Sequence, residues 1–146
     1  MEKTVIEEMR KFNYLIGEID AAYHEASQKL GLSDSVMQIL YIIRNHGEEC
    51  SLTQICRLSG TSKQTINSAL RKLEAEGIVR LESLTGRRKK VCLTPQGKTL
   101  ADNTVSRLIA IENDIFSSWS KQELELYLKL TQRYFVSIKE KIKESL

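Results

Sequence analysis

Proline occurs once in this chain of 146 residues and glycine only seven times. With so few breakers, a mainly helical protein is expected. Cysteine is scarce as well. Cys50, Cys56 and Cys92 are odd in number and lack CxxC spacing, which excludes a disulfide framework. No apolar run is long enough to cross a bilayer, and the opening MEKTVIEEMRK is charged where a secretory signal has an apolar core. A soluble cytoplasmic protein with no membrane attachment is therefore expected. Glycine-rich phosphate loops, GxSxG and HxxxH are all missing, so the chain reads as a non-enzyme without cofactor or metal. His24, His46, Glu48, Glu49, Cys50 and Cys56 are ligand types, but Gly47 interrupts the path from His46 to Cys50 and no zinc spacing results.

What is present is unevenly placed. The net charge is only +3, yet residues 1–60 carry −3, residues 61–100 carry +6 and the remainder is neutral. A basic segment inside a near-neutral chain is the footprint of a polyanionic partner. Taken alone, such a run is more often a solvated face.

Helical periodicity organises most of the chain. Ile6, Met9, Phe12, Ile16, Ile19 and Tyr23 mark a first helix over 3–29, closed by Gly31. Ser33 caps a second, with Val36, Met37, Leu40 and Ile43 inside. A third starts at Ser51, where Gln54 offers a reciprocal capping box, and ends at Gly60. The fourth runs from about Lys63 to Glu76 after the cap Ser62, burying Ile66, Ala69, Leu70 and Leu73. Residues 78–81 and 90–93 then read as two short strands around a loop at 82–89 with Gly86 at its turn. Thr94-Pro95 opens a long fifth helix to about Ser117, and Ser120 with Glu123 caps a last one.

The outward side of the fourth helix has the chemistry of groove recognition. Gln64 and Asn67 both donate and accept, as adenine edges require, and Lys63, Arg71 and Lys72 can reach guanine or phosphate. Ser62, Thr65 and Ser68 are short and suit backbone oxygens near a helix N-terminus. Such a helix alone is an ordinary amphipathic surface helix. The hairpin that follows places Arg87, Arg88, Lys89 and Lys90 at and beside its tip, where adjacent cations repel and gain nothing for folding. A tip of this kind suits phosphates or a narrow minor groove. Helix, turn, helix and basic hairpin in this order are far more specific than any one part.

These features resemble the MarR family of winged helix-turn-helix regulators. The resemblance spans nearly the whole chain and rests on LGLS at 30–33, on LTQICRLSGTSKQTINSALRKLEAEGIV, on the basic wing, and on VCLTPQGK at 91–98. It implies a single domain over 1–146, with a winged-helix DNA-binding lobe at 34–97 and helical dimerisation regions at 1–31 and 98–146. The wing would carry a small two- or three-stranded sheet. It further implies a homodimer that binds a palindromic operator in double-stranded DNA and usually represses, commonly released by a small-molecule effector or an oxidant. Arg87 matches a wing arginine of the family, whereas Thr85 stands where family wings carry a bracing aspartate, and Arg88 could substitute. Three long striped helices exceed what one small lobe needs, which independently favours a partner copy.

Two other readings compete. One is a winged-helix protein-interaction module without DNA binding, which a polar, basic reading face disfavours. The other is a thiol-based oxidant sensor, for which Cys50 is the expected exposed thiol while Cys56 lies on an apolar stripe. The resemblance also implies an effector crevice, for which Tyr23, His24, Tyr41 and residues of the fifth helix are the candidates by position, but packing and surface roles suit Tyr23 and His24 equally well.

Overall fold

The computed structural model describes residues 2–146. Among them the chain forms seven helices and three strands: α1 (Lys3–Lys29), α2 (Asp34–Asn45), β1 (Glu49–Ser51), α3 (Leu52–Ser59), α4 (Lys63–Ala75), β2 (Val79–Ser83), β3 (Lys89–Leu93), α5 (Pro95–Asn103), α6 (Val105–Ser117) and α7 (Lys121–Ser145). The fold is mainly α, with a winged helix-turn-helix order in its middle. The chain divides into two compact units, one ending at Ile109 and one covering Ala110–Leu146.

The core of the first unit is built on α2. Val36, Met37, Ile39, Leu40, Ile42 and Ile43 are all buried, so the helix is apolar around most of its circumference and must be covered by several neighbours. α3 and α4 cover it from one direction, β1 and β3 from another, and α1 and α5 also touch it. Ile55, Ile66, Leu73, Val79, Val91 and Val105 complete the interior, each almost fully removed from solvent. Polar ties hold the rim. The His24 imidazole and the Ser27 hydroxyl both meet the Asp34 carboxylate, at 2.7 and 2.5 Å, joining the end of α1 to the start of α2. The Ser27 hydrogen bond, then His24, hold the Asp34 carboxyl below its usual range. Arg44 pairs with Asp102, fastening α5 to the far end of α2, and Lys98 pairs at 2.8 Å with Glu48 in the turn that follows α2.

The sheet is antiparallel in the order β1-β3-β2, with Cys50 opposite Val91 and Glu82 opposite Lys90. Pairing extends the hairpin beyond the expected strands, to Ser83 and Lys89, and leaves a loop of residues 84–88.

Two expectations are corrected. The single helix expected from Thr94 to Ser117 is broken at Thr104, whose φ is −126° and ψ −91°. The Thr104 hydroxyl donates to the Leu100 carbonyl at 2.6 Å, a back-bond that bends helices. The capping box at Ser51 is half formed. Ser51 accepts from the Gln54 N–H, but the Gln54 carbonyl oxygen faces the Ser51 hydroxyl and the Cys50 thiol instead of the Ser51 N–H. Ser51 is also the last residue of β1, opposite Lys90. In the second unit the Ser120–Glu123 box is complete. Phe116, Trp119 and Tyr127 form an aromatic cluster there, the Trp119 ring 5.1 and 5.2 Å from the other two.

The segment LTPQG closes the first unit by a specific device. Thr94 caps α5 by accepting from the Gly97 N–H, and its hydroxyl donates to the Gly77 carbonyl at 2.5 Å. Gly77, at φ +74°, ends α4 in the left-handed region. The backbone of α5 thereby lies against Ile78, so close that a Cβ on Gly97 would fall 1.9 Å from the Ile78 carbonyl oxygen. Only glycine fits without moving backbone. Gly97→Ala should therefore lower stability by about 2–4 kcal/mol in urea denaturation. A loss within about 0.5 kcal/mol, the range of ordinary surface changes, would mean that α5 is free to shift.

Candidate nucleic-acid interface

α3 and α4 meet at a turn made by Gly60, which adopts φ +62°. Ser62 then starts α4, its hydroxyl accepting from the Thr65 N–H at 3.2 Å and donating to the Thr65 hydroxyl at 2.9 Å. Ile66, Leu70 and Leu73 turn inward and are buried. That fixes the opposite side outward: Lys63, Gln64, Thr65, Ser68, Arg71 and Lys72 are exposed, and Asn67 is half-buried.

Four concavities run along α4, two of them shared with the wing and one with the start of α2. Lys63, Gln64, Asn67, Ser68 and Arg71 line one of about 440 Å³ along the outer face of α4. Asn67 and Arg71 share a second, of about 390 Å³, with Arg87 and Lys89 of the wing, over an apolar floor of Leu52, Leu70 and Leu81. Lys63 shares a third, of about 510 Å³, with Thr85, Arg87, Arg88 and Lys89. The expected residues thus converge from two elements. Lys72 lies on another flank of α4, where it shares the fourth concavity, of about 420 Å³, with Gln64, Thr65, Ser68 and, from the start of α2, Ser33 and Ser35.

The wing's charges divide into two sets. Its loop is closed by the Leu84 N–H donating to the Arg88 carbonyl at 2.8 Å, with Gly86 at φ +75°. Arg87, Arg88 and Lys89 are exposed there. Lys90 is different, and the expectation that all four cations gain nothing for folding does not hold for it. Its ammonium lies between Glu49 of β1 at 3.2 Å and Glu82 of β2 at 3.3 Å, and Glu82 also pairs with Arg80. This ladder braces the base of the wing across all three strands. Sequence reasoning missed it, although the Glu82–Lys90 pairing follows from the hairpin register. It also missed Ser33, Ser35 and the apolar floor, which come from distant parts of the chain.

Cys50 is not the exposed thiol that was expected. It is 5% exposed because β1 pairs with β3 and turns it inward, and burial raises its pKa away from the reactive thiolate. Cys92 is buried too, and Cys56 is the most accessible of the three.

Comparison with known proteins agrees with this geometry. The model of the MarR family matches residues 30–89, from the start of the α2 region through the wing loop. A MarR family transcriptional regulator from Silicibacter pomeroyi is 25% identical, covering 87% of this chain and 86% of its own, with a TM-score of 0.69. A MarR family regulator from Neisseria meningitidis has the same fold at 17% identity, over 95% of this chain and 99% of its own, with a TM-score of 0.81. MepR of S. aureus, solved as a DNA complex, is 18% identical over 88% of this chain and 96% of its own, with a TM-score of 0.66. No match was found among curated protein sequences. The family match over the helix-turn-helix and wing, and the fold shared along nearly the whole length, make this chain similar to MarR family regulators.

Proposed function

We propose that the protein is a dimeric, sequence-specific DNA-binding transcriptional regulator, most simply a repressor, acting on a palindromic operator. The observation that carries this reading is the meeting of Asn67 and Arg71 with Arg87 and Lys89 around one groove. In this reading α4 enters the major groove. Gln64 and Asn67 contact base edges, Arg71 takes a guanine or a phosphate, and Lys63 and Lys72 take phosphates. Ser62, Thr65 and Ser68 lie close to backbone oxygens at the start of the helix. Arg87, Arg88 and Lys89 follow the phosphates or enter the adjacent minor groove. The solved DNA complex of MepR supports this role for the shared fold.

The lobe at 34–97 would do the reading, with 1–31 and 98–146 forming the dimer. Exposed apolar side chains support that division: Ile6, Phe12, Ile16 and Ile19 on α1, and Leu130, Tyr134, Ile138 and Ile142 on α7. α7 has no buried residue along its whole length. Stripes of this kind are stable when a second copy covers them. Two-fold symmetry would then set two α4 helices about 34–36 Å apart, one turn of B-DNA. A small-molecule effector would act by changing that separation.

Removing the wing's exposed cations tests the electrostatic half. Arg87→Ala with Arg88→Ala should leave the fold and the dimer intact. In a salt titration, the slope of log affinity against log salt should fall by roughly 2–4 for a dimer. An unchanged slope would remove the wing from the interface. Alanine at Gln64 or Asn67 tests the reading half and should relax base preference at particular positions by about 1–3 kcal/mol. Binding measured across a panel of single-base variants checks it, and a substituted protein that keeps the full preference takes that residue out of the reading set.

A further inference from the structure

We propose that Gln38, which lies on α2 outside both helices of the helix-turn-helix, is a positioning residue that sets how α4 is presented to DNA. The proposal deepens the DNA-binding reading and rests on it. The turn between α3 and α4 has its own internal hydrogen bonds: the Ser59 hydroxyl donates to the Cys56 carbonyl at 3.0 Å, and the Thr61 N–H donates to the Ser59 hydroxyl at 3.2 Å. These bonds shape the turn but do not orient it against the rest of the lobe. Gln38 does. Its side-chain N–H donates to the Ser59 carbonyl at 3.1 Å, and its carbonyl oxygen accepts from the Thr61 hydroxyl at 2.9 Å. The side chain thus grips both sides of Gly60.

The clasp is stiff because its root is stiff. Met37 and Ile39, on either side of Gln38, are core residues of the central helix, and Ile39 is fully buried. The two ends of the amide meet opposite groups, a carbonyl that accepts and a hydroxyl that donates; the Thr61 hydroxyl also lies 3.3 Å from the Ser59 carbonyl, and the amide bridges both at shorter distances. Glutamate cannot donate, methionine does neither, and asparagine is one methylene short. One residue beyond Thr61 is Ser62, the cap of α4, and Gln64 follows within the first turn. In that turn Ile66 is the residue buried in the core, so the clasp beside Gly60 adds a second, polar restraint on where Gln64 at the start of the helix points. Bidentate base contacts weaken steeply with misalignment, whereas long cations reach phosphates from many poses. Loosening the clasp should therefore reduce sequence preference and leave non-specific affinity alone.

The test compares wild type, Gln38→Met and Gln38→Glu as full-length proteins, with the DNA fragment that wild type enriches most from a random pool and with unselected DNA. We expect Gln38→Met to bind the enriched fragment about 10-fold more weakly. Its affinity for unselected DNA should stay within about 2-fold and its salt slope should not change, because the phosphate contacts remain. Gln38→Glu, which keeps one of the two hydrogen bonds, should fall between. Amide hydrogen exchange supplies a readout without DNA: Thr61 to Ile66 should exchange faster in Gln38→Met, by about 10-fold, while α2 stays protected. A purely packing role would lower both DNA affinities together or leave exchange in the turn unchanged, and either result overturns the proposal. Faster exchange with undiminished preference also overturns it. If wild type itself prefers no fragment, the DNA-reading function fails, and the exchange rates alone decide whether Gln38 holds the turn.

Discussion

Six of the twelve residues of α2 are buried, and covering them dictates where the remaining elements of the first unit can go. α3 and α4 lie across one part of its surface and the sheet across another. Because the buried stripe of α4 is pinned there through Ile66, Leu70 and Leu73, its polar side has to face water. The outward display of Gln64, Asn67 and Arg71 is thus a consequence of apolar burial elsewhere. α1 is attached to the same post through Asp34, and α5 through Arg44. A small displacement of α2 would reach the reading helix, the wing and α1 together.

Charge in the wing separates by function in the same way. Lys90 is held between two carboxylates from neighbouring strands, so its charge is matched inside the protein. Arg87, Arg88 and Lys89 are presented outward beyond it. Partly exposed pairs such as these are individually weak. Their effect here is geometric, because they link all three strands just below the loop. Near the tip, the Leu84–Arg88 backbone hydrogen bond and Gly86 set the turn.

Local signals were the legible ones. Ser62 as a cap, the Ile66–Leu70–Leu73 stripe and Gly77 as a terminator bracket α4 to within a residue. Thr94, Pro95 and Gly97 mark the start of α5 for reasons that the close approach to Ile78 makes physical. Features that depend on distant partners were not legible. Cys50 was expected at the surface because a three-residue strand has little local signature, and its pairing with residues 90–92 comes from another part of the chain. The break at Thr104 depends on a hydroxyl choosing the Leu100 carbonyl, which helix periodicity does not encode. Gln38 carries no local signal of its role, since the groups it grips lie 21 and 23 residues away. The residues proposed to meet DNA could be named from the sequence, but the elements that hold them in place could not.

The central claim is that two copies of this chain present two reading helices to one stretch of DNA. Selection of bound fragments by the full-length protein from a random double-stranded pool addresses it most directly. The account predicts enrichment of an inverted repeat whose half-sites are centred about 10 base pairs apart. Enrichment of a single unrepeated site would contradict the two-fold arrangement, and no enrichment at all would contradict sequence-specific reading.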